Sequence, residues 1–224
     1  KDSISAIGRT VMVLAPWNQP VPLTRAWCLW ELFCTVDTGC PFNVALSPEQ
    51  SAALEEAVMK GSSASGNPFR DALAGIDVAQ AQAGKESDRA KIMAAVRASE
   101  GGTSRLNAVA MAEMRKWVVF ALRAAVHKWR EERRWTGIIN AALILQDLGR
   151  MEEARGLYEE LLAVEEVDAE DVATSLKTKT NLATILSQQP GREAEAEAMC
   201  RQAIEGFEAT SGPTHANTLS SKSN

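Results

Sequence analysis

Residues 140–154 read NAALILQDLGRMEEA, and residues 181–196 read NLATILSQQPGREAEA. The two stretches align at an offset of 41 residues in their first halves, and of 42 residues after a one-residue insertion. A third copy begins near the end of the chain at an offset of 43, where Leu176, Lys179 and Asn181 recur as Leu219, Lys222 and Asn224. Self-similarity at a fixed period of this length indicates a helical repeat array.

The residue types in each copy suit a pair of packed helices. Small side chains let two backbones approach closely, and they recur at Ala142 and Ala183, then at Ala154 and Ala196. Gly149 and Gly191 stand at the expected turn, where a left-handed backbone favours glycine. Larger side chains are expected to fill the space between hairpins: Leu145, Tyr158 and Leu161 in one copy, and Leu186, Cys200 and Ile204 in the next. The sequence therefore predicts two full hairpins over residues 135–224 and the start of a third.

This pattern resembles the tetratricopeptide repeat. The period of about 42 residues, with Asn-Leu-Ala at 181–183 and HANTLSSKSN at 215–224, resembles the kinesin light chain variety. In that family the first helices of successive repeats line a concave groove that holds extended peptides. The resemblance implies four groove residues: Asn140, Asn181, Asn224 and Lys177. An asparagine can donate and accept hydrogen bonds at once, which suits a peptide amide. The alternative is that these asparagines only satisfy neighbouring helix ends.

The N-terminal part of the chain alternates strand and helix patterns. Thr10 to Leu14, reading TVMVL between breakers, predicts a buried strand, and residues 42–46 predict a second one. Between them, Thr24 is expected to cap a helix that runs through Thr38. Ser47 with Pro48 is expected to open the next helix. Strands and helices that alternate at this spacing predict a parallel α/β layer.

Residues 70–100 are rich in alanine and predict helices interrupted near Gly75 and Gly84. A long amphipathic helix is predicted over residues 103–134, with one apolar stripe at Leu106, Ala110, Met114, Trp117, Ala121, Ala125 and Trp129. We expect this helix to link the α/β part, residues 1–102, to the repeats. The predicted fold is α/β plus all-α: a partial parallel α/β layer, a long helix and then helical hairpins, mostly helical overall.

Residues 25–32 read RAWCLWEL and follow a strand and a proline-rich loop. This segment resembles Toll/interleukin-1 receptor (TIR) domains over about residues 10–46, so residues 1–102 are expected to be a partial, N-terminally truncated domain of that kind. The resemblance implies that Glu31 holds the place of the catalytic glutamate in NAD-cleaving members. A carboxylate can stabilise the oxocarbenium-like charge that develops as nicotinamide departs. The alternative is that Trp27, Trp30 and Phe33 are core residues and that Glu31 pairs with Arg25 or a helix end.

Composition excludes several classes of function. A net charge of −5 gives no long-range attraction to nucleic acid, although Arg130 to Arg134 is locally basic. The cysteines, Cys28, Cys34, Cys40 and Cys200, form no CxxC pair, and neither histidine lies at ligand spacing from them, so we expect no metal and no cofactor. No apolar run approaches the length of about 18 residues needed for membrane insertion. We expect a reduced, cytoplasmic protein.

The sequence thus favours an interaction scaffold or adaptor that binds protein or peptide partners. The alternative is a TIR-like NAD glycohydrolase. One further expectation concerns the third hairpin, which is only begun. Its absence should leave an apolar face bare, including Ile185, Met199, Ile204 and Phe207, and so favour self-association.

Overall fold

The computed structural model describes residues 2–61, 68–164 and 169–223. Over these ranges the chain is mostly helical and contains a small parallel sheet, as the sequence predicts. It divides into two compact units, Lys1–Ala125 and Val126–Asn224. Within the described residues, no helix combines the length and the apolar character that a membrane span requires.

The first unit alternates short strands with helices. Its elements are α1 (Asp2–Ile7), β1 (Thr10–Val13), a 3-10 turn (Val21–Thr24), α2 (Ala26–Asp37), β2 (Phe42–Ala45), α3 (Pro48–Lys60), α4 (Pro68–Ala74), α5 (Glu86–Ala98) and most of α6 (Gly102–Glu131), whose last residues belong to the second unit. The two strands pair in parallel, with Thr10 opposite Phe42 and Val13 opposite Ala45. Because α2 connects them, the predicted strand-helix-strand arrangement is confirmed.

Aromatic and aliphatic side chains form the core of this unit. The Phe69 ring lies 5.5 Å from the Trp17 ring and 6.3 Å from the Trp117 ring, centroid to centroid. On β1, Met12 is buried, whereas Val11 and Val13 on the opposite face are exposed. The stripe predicted on α6 is buried except for Ala121, which is half-buried.

The expected N-cap of α2 is wrong. Thr24 lies in the 3-10 turn and its hydroxyl donates to the Val21 carbonyl at 2.9 Å, so it does not cap the helix. The helix begins at Ala26, whose N–H donates to the Gln82 carbonyl at 2.9 Å, while the Gln82 N–H donates to the Thr24 carbonyl at 2.8 Å. A free N–H group at the start of α2 is thus satisfied by the distant residue Gln82 and not by a neighbouring side chain. In contrast, Ser47 caps α3 as predicted, accepting from the Gln50 N–H at 3.3 Å.

The second unit is a row of helices after the end of α6. They are α7 (Trp135–Asp147), α8 (Met151–Leu162), α9 (Ala169–Leu186), α10 (Glu193–Ser211) and α11 (Ala216–Ser223). Each helix packs on the next, and α7 also contacts α9. Gly149 and Gly191 make the turns inside the two hairpins with φ of +78° and +84°, as predicted. The four predicted alanines at 142, 154, 183 and 196 are all buried.

The apolar face predicted to be bare is largely covered, and this expectation is wrong. Ile185 and Phe207 are 2% and 1% exposed, and Met199 and Ile204 are half-buried. The cover is α11, which packs on α10 and is joined to it by the ion pair of Lys222 Nζ with Glu208 Oε1 at 2.6 Å. A short helix of eight residues is therefore enough to remove most of the physical basis for the expected self-association.

Candidate functional site

The first helices of the two hairpins, α7 and α9, present matching surfaces. Four positions spaced three or four residues apart recur in each hairpin: 136, 140, 143 and 147 on α7, and 177, 181 and 184 on α9 with 188 in the turn that follows it. Each of these residues on the first hairpin is exposed to solvent to a similar degree as its equivalent on the second. The outer two pairs, Thr136 with Lys177 and Asp147 with Gln188, are exposed, and the inner two, Asn140 with Asn181 and Leu143 with Thr184, are half-buried. We call these eight positions the polar stripe.

Three of the groove residues expected from the sequence lie on the first helices of the two hairpins. Lys177 and Asn181 lie one turn apart on α9, and Asn140 occupies the position on α7 equivalent to Asn181. The two helices, α7 and α9, contact each other. Asn224, the fourth expected residue, lies outside the described residues.

The polar stripe is chemically suited to an uncharged backbone. Six of its eight side chains are neutral, and five of those carry a hydroxyl or an amide, which offer donors and acceptors to a peptide. Only Asp147 and Lys177 are charged, one acidic and one basic, so the stripe has no net charge. Such a surface favours hydrogen bonding over charge attraction.

Tyr158 lies on α8, the helix that packs between α7 and α9. Its side chain is fully buried, as predicted for a residue between hairpins. Burial raises the pKa of the Tyr158 phenol above its ordinary range, and the neighbouring Asn181 side chain opposes that rise. Within the described part of the chain, the phenol oxygen makes no hydrogen bond of ordinary geometry. Hydrophobic patterning predicts the burial of the Tyr158 ring but not the position of its hydroxyl.

Ion pairs at the surface hold neighbouring helices in position. Arg130, near the end of α6, makes two hydrogen bonds of 2.6 Å to the carboxylate of Glu160 on α8. The two-point contact fixes the guanidinium more firmly than a single bond would. Gln189 Nε2, after α9, donates to Glu152 Oε1 at the start of α8, at 3.4 Å. These partly exposed contacts orient the helices but contribute little stability individually.

Glu31 belongs to the first unit and lies on α2 with its side chain exposed. It forms no ion pair with Arg25 within the described residues, so that proposed pairing is wrong. Phe33 is buried and Trp30 is half-buried, but Trp27 is 45% exposed and is not a core residue. Burial raises the pKa of the Cys28 thiol, and the Glu31 carboxylate adds to that rise. Among the described residues, no three His, Cys, Asp or Glu side chains are grouped so that they could hold a metal ion.

Comparison with known proteins assigns the hairpins. Residues 136–209 match the tetratricopeptide repeat family, and this range spans α7 to α9 and most of α10. No curated protein and no solved structure matches the chain. The family match, the left-handed glycine turns and the buried alanines together support tetratricopeptide-type repeats over residues 136–209.

Proposed function

We propose that the second unit binds an extended peptide segment of a partner protein along the polar stripe, so that the chain acts as a scaffold or adaptor. Tetratricopeptide repeats in general bind protein partners. One observation supports the proposal for this chain: residues at equivalent positions of the two hairpins are exposed to solvent to a similar degree. Residues that serve only packing within one hairpin need not be repeated at the surface of the next.

The chemistry of the proposed contact follows from the two asparagines. Asn140 and Asn181 are half-buried, so each residue is partly enclosed by its neighbours while part of it remains open to solvent. An ordered amide loses less side-chain entropy on binding than a fully exposed one. Lys177, which is exposed one turn before Asn181, adds a cation for an acidic group of the peptide. We also propose that the groove is of the kinesin light chain kind and that the protein is cytoplasmic.

The proposal is tested by selecting peptides from a randomised twelve-residue display library (about the length of a groove ligand) on the wild-type chain and measuring their affinity by fluorescence anisotropy. The double variant Asn140→Ala, Asn181→Ala should weaken binding of a selected peptide by at least about tenfold, because two amide contacts of about 1 kcal/mol each are removed. The matched control is Glu205→Ala, at an exposed position on α10 outside the stripe. Equal affinities for the two variants, or no selected peptide at all, would refute the proposal.

A further inference from the structure

The small sheet of the first unit has an open edge. Among the described residues it consists of two strands, β1 and β2, paired in parallel. The Thr10 N–H donates to the Pro41 carbonyl at 3.0 Å, and the Leu14 N–H also bonds to β2, at 3.1 Å. Because successive residues of a strand direct their main-chain groups to opposite edges, the N–H and C=O groups of Val11 and Val13 point away from β2. They form the open edge of β1.

The same two residues carry the exposed side chains of β1. Val11 and Val13 are 53% and 58% exposed, whereas Met12 between them is 7% exposed. Helix α2 lies on the Met12 face, where the hydroxyl oxygens of Thr10 and Thr35 are 2.6 Å apart. Parallel strands are nearly always covered on both faces. The exposed valines and the open edge therefore mark a surface that another strand can extend.

Strand β1 lacks the features that usually prevent an open edge from pairing. Such edges commonly carry a charged side chain, a proline or a bulge. Residues 10–13 read TVMV, and no charged residue occurs between Arg9 and Arg25. The edge therefore offers main-chain hydrogen bonds and apolar contact, and it has no charge that would repel an identical strand.

The open edge is complementary to itself. When two copies of β1 lie antiparallel with Met12 opposite Met12, Val11 of each copy lies opposite Val13 of the other. Each such pair exchanges two hydrogen bonds, so four bonds use every outward main-chain group of both strands. The valines then form cross-strand pairs on the exposed face. Arg9 lies opposite Ala15 of the second copy, so like charges do not meet.

We propose that the chain forms a two-fold dimer by antiparallel pairing of β1 with β1 of a second copy, which makes one four-stranded sheet. Two-fold pairing of this kind is closed after two copies. The contact is small, and small interfaces are weak, so the dimer forms at high protein concentration. This surface belongs to the first unit, and the proposal does not depend on the peptide groove of the second.

Sedimentation velocity of the whole chain tests the dimer, over about 10 μM to 1 mM, where weak contacts associate. The wild type should approach twice the mass of one chain and stop there. Val11→Lys with Val13→Lys should lower the association constant at least about tenfold, because lysines of the two copies would face each other. The control, Ala94→Lys with Ala98→Lys, adds the same charge at exposed positions of α5 and should associate like the wild type.

Three results of this experiment would overturn the proposal. They are a monomer at every concentration, growth beyond two copies, and equal association of the wild type and the Val11→Lys, Val13→Lys variant.

Hydrogen exchange of the backbone amides locates the contact in the wild type, so the proposal stays testable if the lysine variant does not fold. The amides of Val11 and Val13 should exchange more slowly at high protein concentration than at low concentration, because pairing places them in hydrogen bonds. Exchange on α10 around Glu205, in the second unit, should not change with concentration. Exchange at Val11 and Val13 that does not depend on concentration would overturn the proposal.

Discussion

The two complete hairpins share one plan but differ in their interiors. In both, a glycine with positive φ makes the turn and an alanine five residues later is buried. The helices of the first hairpin have 13 and 12 residues, and those of the second have 18 and 19. Buried hydroxyls are found on the longer α9, where Thr178 and Thr180 donate to carbonyls four residues earlier, at 2.9 and 3.1 Å.

This difference separates what a repeat must keep from what it can vary. The turn and the small side chains set the angle and distance of the helices, so they recur. Interior polarity can vary, because a threonine hydroxyl on a helix satisfies itself against its own backbone. The closest approach in the second hairpin also uses a residue outside the repeated pattern: a Cβ added at Gly206 would lie 2.4 Å from Leu176 Cδ2.

The largest loss of stability should come from substituting one of the buried alanines that both hairpins share. Ala154→Leu places a bulky side chain at a position that is 0% exposed and should destabilise the fold by about 1 to 3 kcal/mol. Glu153→Ala, beside it, removes a partly exposed partner of Arg150 and should cost well under 1 kcal/mol. Urea unfolding of both variants measures the difference. Equal stabilities would show that the assigned hairpin register is wrong.

Two glycines that lie inside helices should respond with opposite signs. Gly206→Ala should destabilise the fold by about 1 kcal/mol or more, because Leu176 is buried and has to move. Gly156→Ala, on α8, meets nothing within 4 Å and should stabilise by up to about 1 kcal/mol through helix propensity. Thermal unfolding of the two variants measures the change in stability that each substitution causes in its own hairpin. Stabilisation by both changes would contradict the close approach in the second hairpin.

Alkaline pH should affect the first hairpin through Tyr158. Because burial raises the pKa of the folded phenol above that of the unfolded chain, the unfolded state loses its proton first as the pH rises above about 10. The free energy of unfolding therefore falls as the pH rises above about 10, by up to about 1.4 kcal/mol per pH unit. Urea unfolding at pH 9 and pH 11 should show a larger loss for wild type than for Tyr158→Phe. The same loss in both proteins would mean that the phenol is solvated.

The smallest effect is expected in the first unit. Purified protein incubated with NAD should release no nicotinamide above background, because an exposed carboxylate such as Glu31 neither orients a substrate nor excludes water. Glu31→Gln is the matched variant. If the wild type releases nicotinamide and Glu31→Gln does not, the NAD-cleaving alternative is supported and our prediction is wrong.

The sequence predicted those features that depend on local chemistry or on repetition. Gly149 and Gly191 were found because the turn geometry requires glycine, and Ala154 and Ala196 because they recur at one offset. Ser47 was recognised as a cap because its bond is made three residues away.

The features that were missed depend on residues far apart in the chain. The start of α2 is decided by Gln82, so the nearby Thr24 was misleading. Phe207 was expected to be exposed, but α11 buries it with only a short helix. The phenol oxygen of Tyr158 is buried without a hydrogen-bond partner among the described residues, which no hydrophobic pattern predicts. For the proposed groove residues, the spacing could predict the shared helix face but not the degree of burial.

The most direct test of the central claim is hydrogen exchange of the backbone amides, with and without a selected peptide. Binding along the polar stripe should slow exchange on α7 and α9 together and leave α10 unchanged around Glu205, where the surface is exposed and lies outside the stripe. Protection on both first helices would support a groove made by equivalent repeats. Protection confined to one hairpin, or centred on α10, would contradict it.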